Sequence, residues 1–344
     1  MRFVMIGAGF WARYQLSGWY EHPGVSCVGI HDRDRRRAER LAEEFGIPAV
    51  YDAPQAMLSE AGADFADVLT SPDTHRQFVE MCAAHRLPVV CQKPLAESLA
   101  DAEAAVAACR AAGVPLLVNE NWRWQVPIRA FGDLLRSSAI GTPFRGRLTF
   151  SCSFPVFENQ PSLRETEQFI LADIGSHVLD VARFYFGEAS SLFATTKRVN
   201  PAIRGEDVAT VVMVMGDART TVTCEMSYAS RTEHERFPQT YAFVEGDGGT
   251  LELGPDYRIR LTDRNRGSWD APVTEIRRVP PPRYAWADPA YDLVHASIVA
   301  CHGDLLRHLR EEGVSETNGD SNLETMRLVY HAYASAEIGT VVKL

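Results

Sequence analysis

Long apolar runs are missing from this sequence. No uncharged hydrophobic stretch in its 344 residues approaches the ~20 that a bilayer-spanning helix needs, which excludes a helical membrane protein. A basic surplus is missing too. Lys plus Arg number 35 against 45 Asp plus Glu, a formal charge of −10, and phosphate binding is led by Lys and Arg, so no nucleic-acid partner is expected. Cysteines are few and scattered: Cys27, Cys82, Cys91, Cys109, Cys152, Cys224 and Cys301 form no Cys-x-x-Cys pair, and their odd number fits a reducing compartment rather than a disulfide framework or a zinc site. Repeats and low-complexity tracts are absent. Met1 is followed almost at once by Phe3-Val4-Met5-Ile6 and a glycine turn, which leaves no room for a secretory leader, so a cytoplasmic location is expected.

The composition that remains is globular, with 46% apolar and 23% charged residues. The length predicts roughly two domains at about 150 residues each. Over the first ~120 residues, short apolar runs alternate with longer amphipathic stretches, the pattern of βαβ units on a doubly wound parallel sheet. Strands are predicted at Arg2–Ile6, Val25–His31, Asp64–Thr70, Pro88–Cys91 and Val114–Val118. Helices are predicted at Asp34–Phe45, closed by Gly46, at Asp73–His85, capped by Asp73 or Thr74, and at Ser98–Ala112, with Ser98 and Asp101 as a capping box and Gly113 as its stop. The later chain reads as α+β. Helices are expected at Pro127–Ser137 and Thr166–Phe186, alternating β-branched strands between Ser190 and Ile276, and two further helices at Pro289–Glu312 and Ser321–Gly339. The expected division is therefore residues 1–122, an α/β nucleotide-type domain, and residues 123–344, an α+β domain with a large, mostly antiparallel open sheet. The C-terminal helices are free to pack back on the first domain. The open face of that sheet is expected to form a homodimer or homotetramer.

Four constellations carry chemistry. Gly7-Ala8-Gly9-Phe10-Trp11-Ala12 comes directly after the first strand. Gly7 permits a tight turn, Gly9 lets backbone approach a pyrophosphate, and Ala12 allows close helix–strand packing. Asp32 ends the second strand, 23 residues past Gly9, where a ribose-binding carboxylate is expected at about 20; the alternative is a helix cap. A carboxylate there favours NAD, while the adjacent Arg33 leaves NADP open. The second constellation is Thr70-Ser71-Pro72-Asp73-Thr74-His75 at a strand's carboxyl end, read as cofactor loop or as a helix cap with a surface histidine. The third is Gln92-Lys93-Pro94, whose lysine falls at the next strand end. The fourth is Asp173, His177 and Asp180 at i, i+4 and i+7 on one predicted helix face, with Gly175 and Ser176 leaving room for close approach. These three side chains also compose a possible divalent-metal set, but no fourth ligand stands nearby, so no metal is expected. His295 and His302 share a helix face and read as packing or surface residues.

Together these elements resemble the Gfo/Idh/MocA oxidoreductases over essentially the whole chain. The resemblance implies an N-terminal Rossmann domain, a C-terminal α/β domain, a nicotinamide cofactor (NAD, with NADP possible) and a small sugar or polyol substrate. It places Lys93, Asp173 and His177 at the catalytic positions: His177, oriented by Asp173, as the base, and Lys93 on the same alcohol oxygen. It assigns cofactor contacts to Gly7, Gly9, Phe10, Trp11, Ala12, Asp32, Arg33, Thr70, Ser71, Pro72, His75, Gln92 and Lys93. Substrate contacts fall to Glu120, Asn121, Trp122, Arg123 and Asp180, with core packing as the alternative for the tryptophan. One departure stands out: Gln92 replaces the family's usual glutamate, which removes a negative neighbour of Lys93. The segments Cys91–Pro94, Glu120–Gln125, Asn200–Val208 and Ser227–Arg231 are similar to the branch that oxidises a branched furanose such as D-apiose to its lactone. Inositol-type dehydrogenation, a non-catalytic NAD-binding sensor and an NAD-dependent glycosidase are the competing outcomes on the same fold.

Overall fold

The computed structural model describes residues 1–233 and 237–344. They divide into two compact units, Met1–Asn121 with Ile298–Arg327, and Trp122–Ser297 with Leu328–Leu344.

In the first unit, β1 (Arg2–Ile6), α1 (Ala12–Tyr20), β2 (Ser26–His31), α2 (Arg35–Phe45), α3 (Pro54–Glu60), β3 (Phe65–Val68), α4 (Pro72–Ala84), β4 (Val89–Gln92), α5 (Leu99–Ala112) and β5 (Leu116–Asn119) succeed one another. The strands form a wholly parallel sheet of order β2-β1-β3-β4-β5. Every residue of β3, β4 and β5 is buried, as a sheet covered on both faces requires. The strand order reverses at β1, so the loops after β1 and β3 diverge at a switch point, the place where such sheets bind ligands. As the sequence predicts, Ser98 accepts the Asp101 N–H, and Gly46 and Gly113 close α2 and α5 in left-handed backbone. Asp34, expected as the first residue of its helix, is instead the cap before α2 and accepts the Arg36 N–H. The cap expected from Asp73 or Thr74 is not formed. α4 starts at Pro72 with Ser71 before it and no side-chain cap, because proline already presets the first helical φ. The short α3 escapes sequence reading, since only Met57 of its seven residues is buried.

A polar seam lies inside this unit. Asp67 of β3 is fully buried and accepts the Trp19 indole N–H at 2.7 Å and the Asn119 amide at 3.3 Å. Trp19 in turn stacks on His302 at 3.6 Å, and His302 meets the Gln15 amide oxygen at 2.6 Å. Burial pushes the Asp67 carboxyl up to about 7, against the pull of its two donors, and holds His302 well below its ordinary value.

The second unit holds α6 (Val126–Arg136), β6 (Pro143–Ser151), α7 (Val156–Asn159), α8 (Ser176–Phe186), β7 (Ala189–Lys197), β8 (Val208–Met215), β9 (Thr220–Ser227), β10 (Tyr241–Gly246), β11 (Gly249–Gly254), β12 (Arg258–Ser268) and β13 (Ala271–Arg278). Residues of the two long helices α9 (Asp292–Leu309) and α10 (Gly319–Ile338) fall in both units, and the second unit ends on β14 (Val342–Lys343). Its nine strands run β13-β12-β11-β10-β6-β9-β8-β7-β14, all antiparallel except the pair β6–β9. One face forms the core: Ala209, Val211, Met213, Val222, Cys224 and Met226 pack with Val178, Leu179, Val181 and Ala182 of α8. On the other face Val208, Thr210, Val212 and Val214 remain half-exposed. The central strand β6 is not predicted from sequence, because a glycine holds one of its inward positions and the apolar alternation is correspondingly thin.

The helix predicted over Thr166–Phe186 needs correction. The polar, mostly exposed stretch Glu165–Gln168 has no core to pack on, and helical structure begins only where Phe169 and Ile170 are buried. Its first turn, Leu171–Gly175, is a wide π-turn that leads into α8. All seven cysteines are free and buried, and no helix among the described residues is long and apolar enough to cross a membrane.

Candidate active site

At the switch point of the first unit, Gly7 adopts φ +106° and donates its N–H to the His31 carbonyl at 2.8 Å. A Cβ on Gly7 would lie 2.7 Å from the Leu69 carbonyl carbon, so glycine is what lets the loops after β1 and β3 touch. A Cβ on Gly9 would meet nothing within 4 Å, which leaves open space beside the backbone there. Ala12 is fully buried, as the third position of the motif requires, and no side chain caps α1. Asp32 is held on both oxygens: Oδ2 accepts the Ala8 N–H at 2.6 Å and Oδ1 that of Asp34 at 2.7 Å. The carboxylate thus ties the glycine turn to the end of β2 and keeps lone pairs for a diol. A tight turn, open space at Gly9, an uncapped helix start and a fixed acid at the strand end fit a dinucleotide. Phe10 and Arg33 are exposed beside this turn, and Trp11 is half-buried.

The loop after β3 brings a correction. His75 is no surface histidine; it is fully buried, with Nδ1 2.9 Å from the Pro94 carbonyl and Nε2 3.0 Å from that of Thr70. Burial lowers its pKa, and a neutral ring can donate to only one carbonyl at a time. It therefore laces Thr70 to the Lys93-Pro94 loop. Lys93 is half-buried, directly beyond β4. The Gln92 side-chain oxygen accepts the Lys93 N–H at 2.8 Å, so the amide in place of glutamate fixes the lysine's backbone. Glu120 is fully buried and Asn121 nearly so.

In the second unit Asp173 lies on the π-turn and is partly exposed, while His177 is the second residue of α8 and is 5% exposed. Trp122 lies flat on the His177 imidazole, ring centres 4.4 Å apart, with its indole also tilted against Phe150. Trp122 is thereby committed to His177, whose ring plane it fixes. The close approach expected at Gly175 is made by the protein itself: a Cβ there would sit 3.4 Å from the Met226 sulfur and 3.3 Å from Leu171. Asp180 does not stand ready for a sugar hydroxyl. Its two oxygens accept Arg123 Nε at 2.7 Å and Nη2 at 2.6 Å, a buried bidentate pair. Each partner neutralises the other, so both positions anchor α8 to the segment that carries Trp122. Tyr228 went unassigned in the sequence. It is buried between Phe150 and Phe169, and burial together with the Asp173 charge raises its phenol pKa. Its sign is the Ser227–Arg231 segment, but only the fold brings it beside Asp173. Among the described residues, no group of three or more His, Cys, Asp and Glu side chains is placed to hold a metal ion.

Known proteins share both units. Residues 1–120 match the oxidoreductase family with an NAD-binding Rossmann fold, and residues 128–252 match the GFO/IDH/MocA C-terminal domain. D-apiose dehydrogenase of Paraburkholderia graminis is 44% identical over 341 residues, 99% of this chain and 89% of that protein. D-apiose dehydrogenase of Rhizobium rhizogenes is 40% identical, covering 99% of this chain and 96% of its own. A crystal structure of an oxidoreductase from Agrobacterium radiobacter in complex with NAD+, L-tartaric acid and magnesium superposes with a TM-score of 0.95 at 40% identity, covering 100% of this chain and 98% of that one.

Proposed function

Because this chain belongs to the Gfo/Idh/MocA oxidoreductase family, we propose that it is an NAD-dependent dehydrogenase that oxidises the anomeric hydroxyl of a branched furanose such as D-apiose to the lactone. The observation that carries the substrate assignment is the identity of 40–44% to two D-apiose dehydrogenases over nearly the full length. When bound, NAD+ supplies the hydride acceptor. His177, held in plane by Trp122, takes the hydroxyl proton, and Asp173 stabilises the imidazolium that results. The Lys93 ammonium stabilises the oxygen as negative charge develops on it. Gly7, Gly9 and Asp32 hold the dinucleotide. The seven free, buried cysteines support a cytoplasmic setting.

A panel of aldoses, furanoses and inositols, each offered with NAD+ and NADP+, tests this reading at the nicotinamide absorbance. Net NADH should accumulate fastest with D-apiose. An inositol as the best substrate overturns the sugar assignment. Turnover without net NADH points to a glycosidase, and no reaction at all to a sensor.

Association is the second element of the proposal. The half-exposed Val208, Val212 and Val214 on the outer sheet face support contact with a second copy of the chain through that face. Light scattering at micromolar protein should give a dimer or tetramer, and a monodisperse monomer would remove the idea.

A further inference from the structure

A helix leaves its first backbone N–H groups without internal partners, and something must meet them. At the helix that carries Asp173, His177 and Asp180, that something comes from far along the chain. Glu206 Oε2 accepts the N–H of Phe169 at 3.2 Å, its main-chain carbonyl that of Ile170 at 3.1 Å, and Oε1 that of Leu171 at 3.1 Å. The Tyr333 hydroxyl accepts the Ala172 N–H at 3.1 Å and donates to Glu206 Oε1 at 2.7 Å. The next N–H, of Asp173, is the first to find a partner inside the helix, the Phe169 carbonyl at 2.8 Å. Two residues therefore satisfy every orphan donor from Phe169 to Ala172.

The approach is built for closeness. A Cβ on Gly205 would lie 2.7 Å from the Thr166 carbonyl oxygen and 2.8 Å from that of Glu167, so the segment carrying Glu206 lies directly against the helix lead-in. Glu206 is buried, and its charge faces the positive end of the helix. Burial and the Glu206 carboxylate both raise the Tyr333 phenol pKa, which keeps its proton available to donate. The turn so clamped is the π-turn, where one residue more than usual is accommodated and the register of the rest of the helix is set.

We propose that Glu206 and Tyr333 are positioning residues, a clamp that fixes the register in which Asp173 and His177 are presented. Neither touches the reacting atoms. The proposal rests on the catalytic reading of Asp173 and His177.

Glu206→Gln keeps the shape but replaces one acceptor oxygen by a donor. Tyr333→Phe removes only the hydroxyl and guards against a Glu206 variant that fails to fold. Each should lower kcat by roughly 10- to 100-fold, the scale of a misplacement of about an ångström, while the NAD+ dissociation constant stays unchanged. Amide exchange of Phe169, Leu171 and Ala172 should accelerate by about tenfold or more as the buried acceptors are lost, and that of His177 should change with it. Faster exchange with kcat at the wild-type value overturns the positioning role. Unchanged exchange overturns the clamp. If wild-type protein oxidises no sugar, the functional reading fails, and the His177 exchange rate still decides whether the clamp sets its turn.

Discussion

His177→Ala is expected to lower kcat by roughly 10²–10⁴ with NAD+ affinity unchanged, the usual contribution of a positioned general base. The effect is large because the ring is prepared for one task. It is nearly buried, stands second in α8 one turn beyond a carboxylate, and lies under Trp122 in a parallel stack. Removing the ring also leaves a gap against Trp122, which costs folding stability by itself. His177→Gln separates the two effects, since it fills much of the gap and provides no base. Both variants should lose turnover alike, while only the alanine variant should lose thermal stability markedly. The measurement is single-turnover NADH formation on a sugar that the wild type oxidises, beside NAD+ titration by fluorescence. Full turnover in the glutamine variant would take the base role from His177.

Legibility in the sequence divides along a physical line, between local chemistry and remote contact. Gly7, Gly9, Ala12 and Asp32 were legible because their chemistry is local: a turn, a strand end and a helix start lie within one βαβ unit. The cap at Ser98 and the stops at Gly46 and Gly113 were legible for the same reason. The residues that fix the second-unit site were not, because their partners are remote. Asp180 reads as a third polar group on a helix face, and only the fold shows Arg123, 57 residues away, closing on it. Tyr333 meets Glu206 across 127 residues, and no periodicity reports that. His75 reads as part of a cofactor loop or as a surface histidine, and only the fold shows it facing two buried carbonyls. Strand β6 was lost because Gly146 interrupts the inward pattern, whereas β8 and β9, with inward Val, Met and Cys at every second place, were plain.

Asp67 gives the second large effect, and it concerns stability. The carboxyl titrates near 7 in the folded protein against an ordinary value of 3.8, so between those pH values the folded state holds a proton that the unfolded state has released. Stability from this group is fully present below about pH 4, falls as pH rises towards 7, and is level above. A shift of 7 − 3.8 = 3.2 units, at about 1.4 kcal/mol each, makes the total loss on the order of 4 kcal/mol. Asp67→Asn removes the titration while keeping the shape. Its carbonyl can accept the Trp19 indole N–H, and its amide can donate to the Asn119 side-chain oxygen once that amide is turned over. Denaturant unfolding of both proteins from pH 4 to pH 8 checks this. The stability of the variant relative to wild type should climb by about 1.4 kcal/mol per pH unit up to pH 7 and then level off. His302, whose lowered pKa costs stability as pH falls below its ordinary value, is common to both proteins and cancels in the difference. A constant offset across the range would mean that Asp67 is ionised throughout, with the Trp19 and Asn119 donors outweighing its burial.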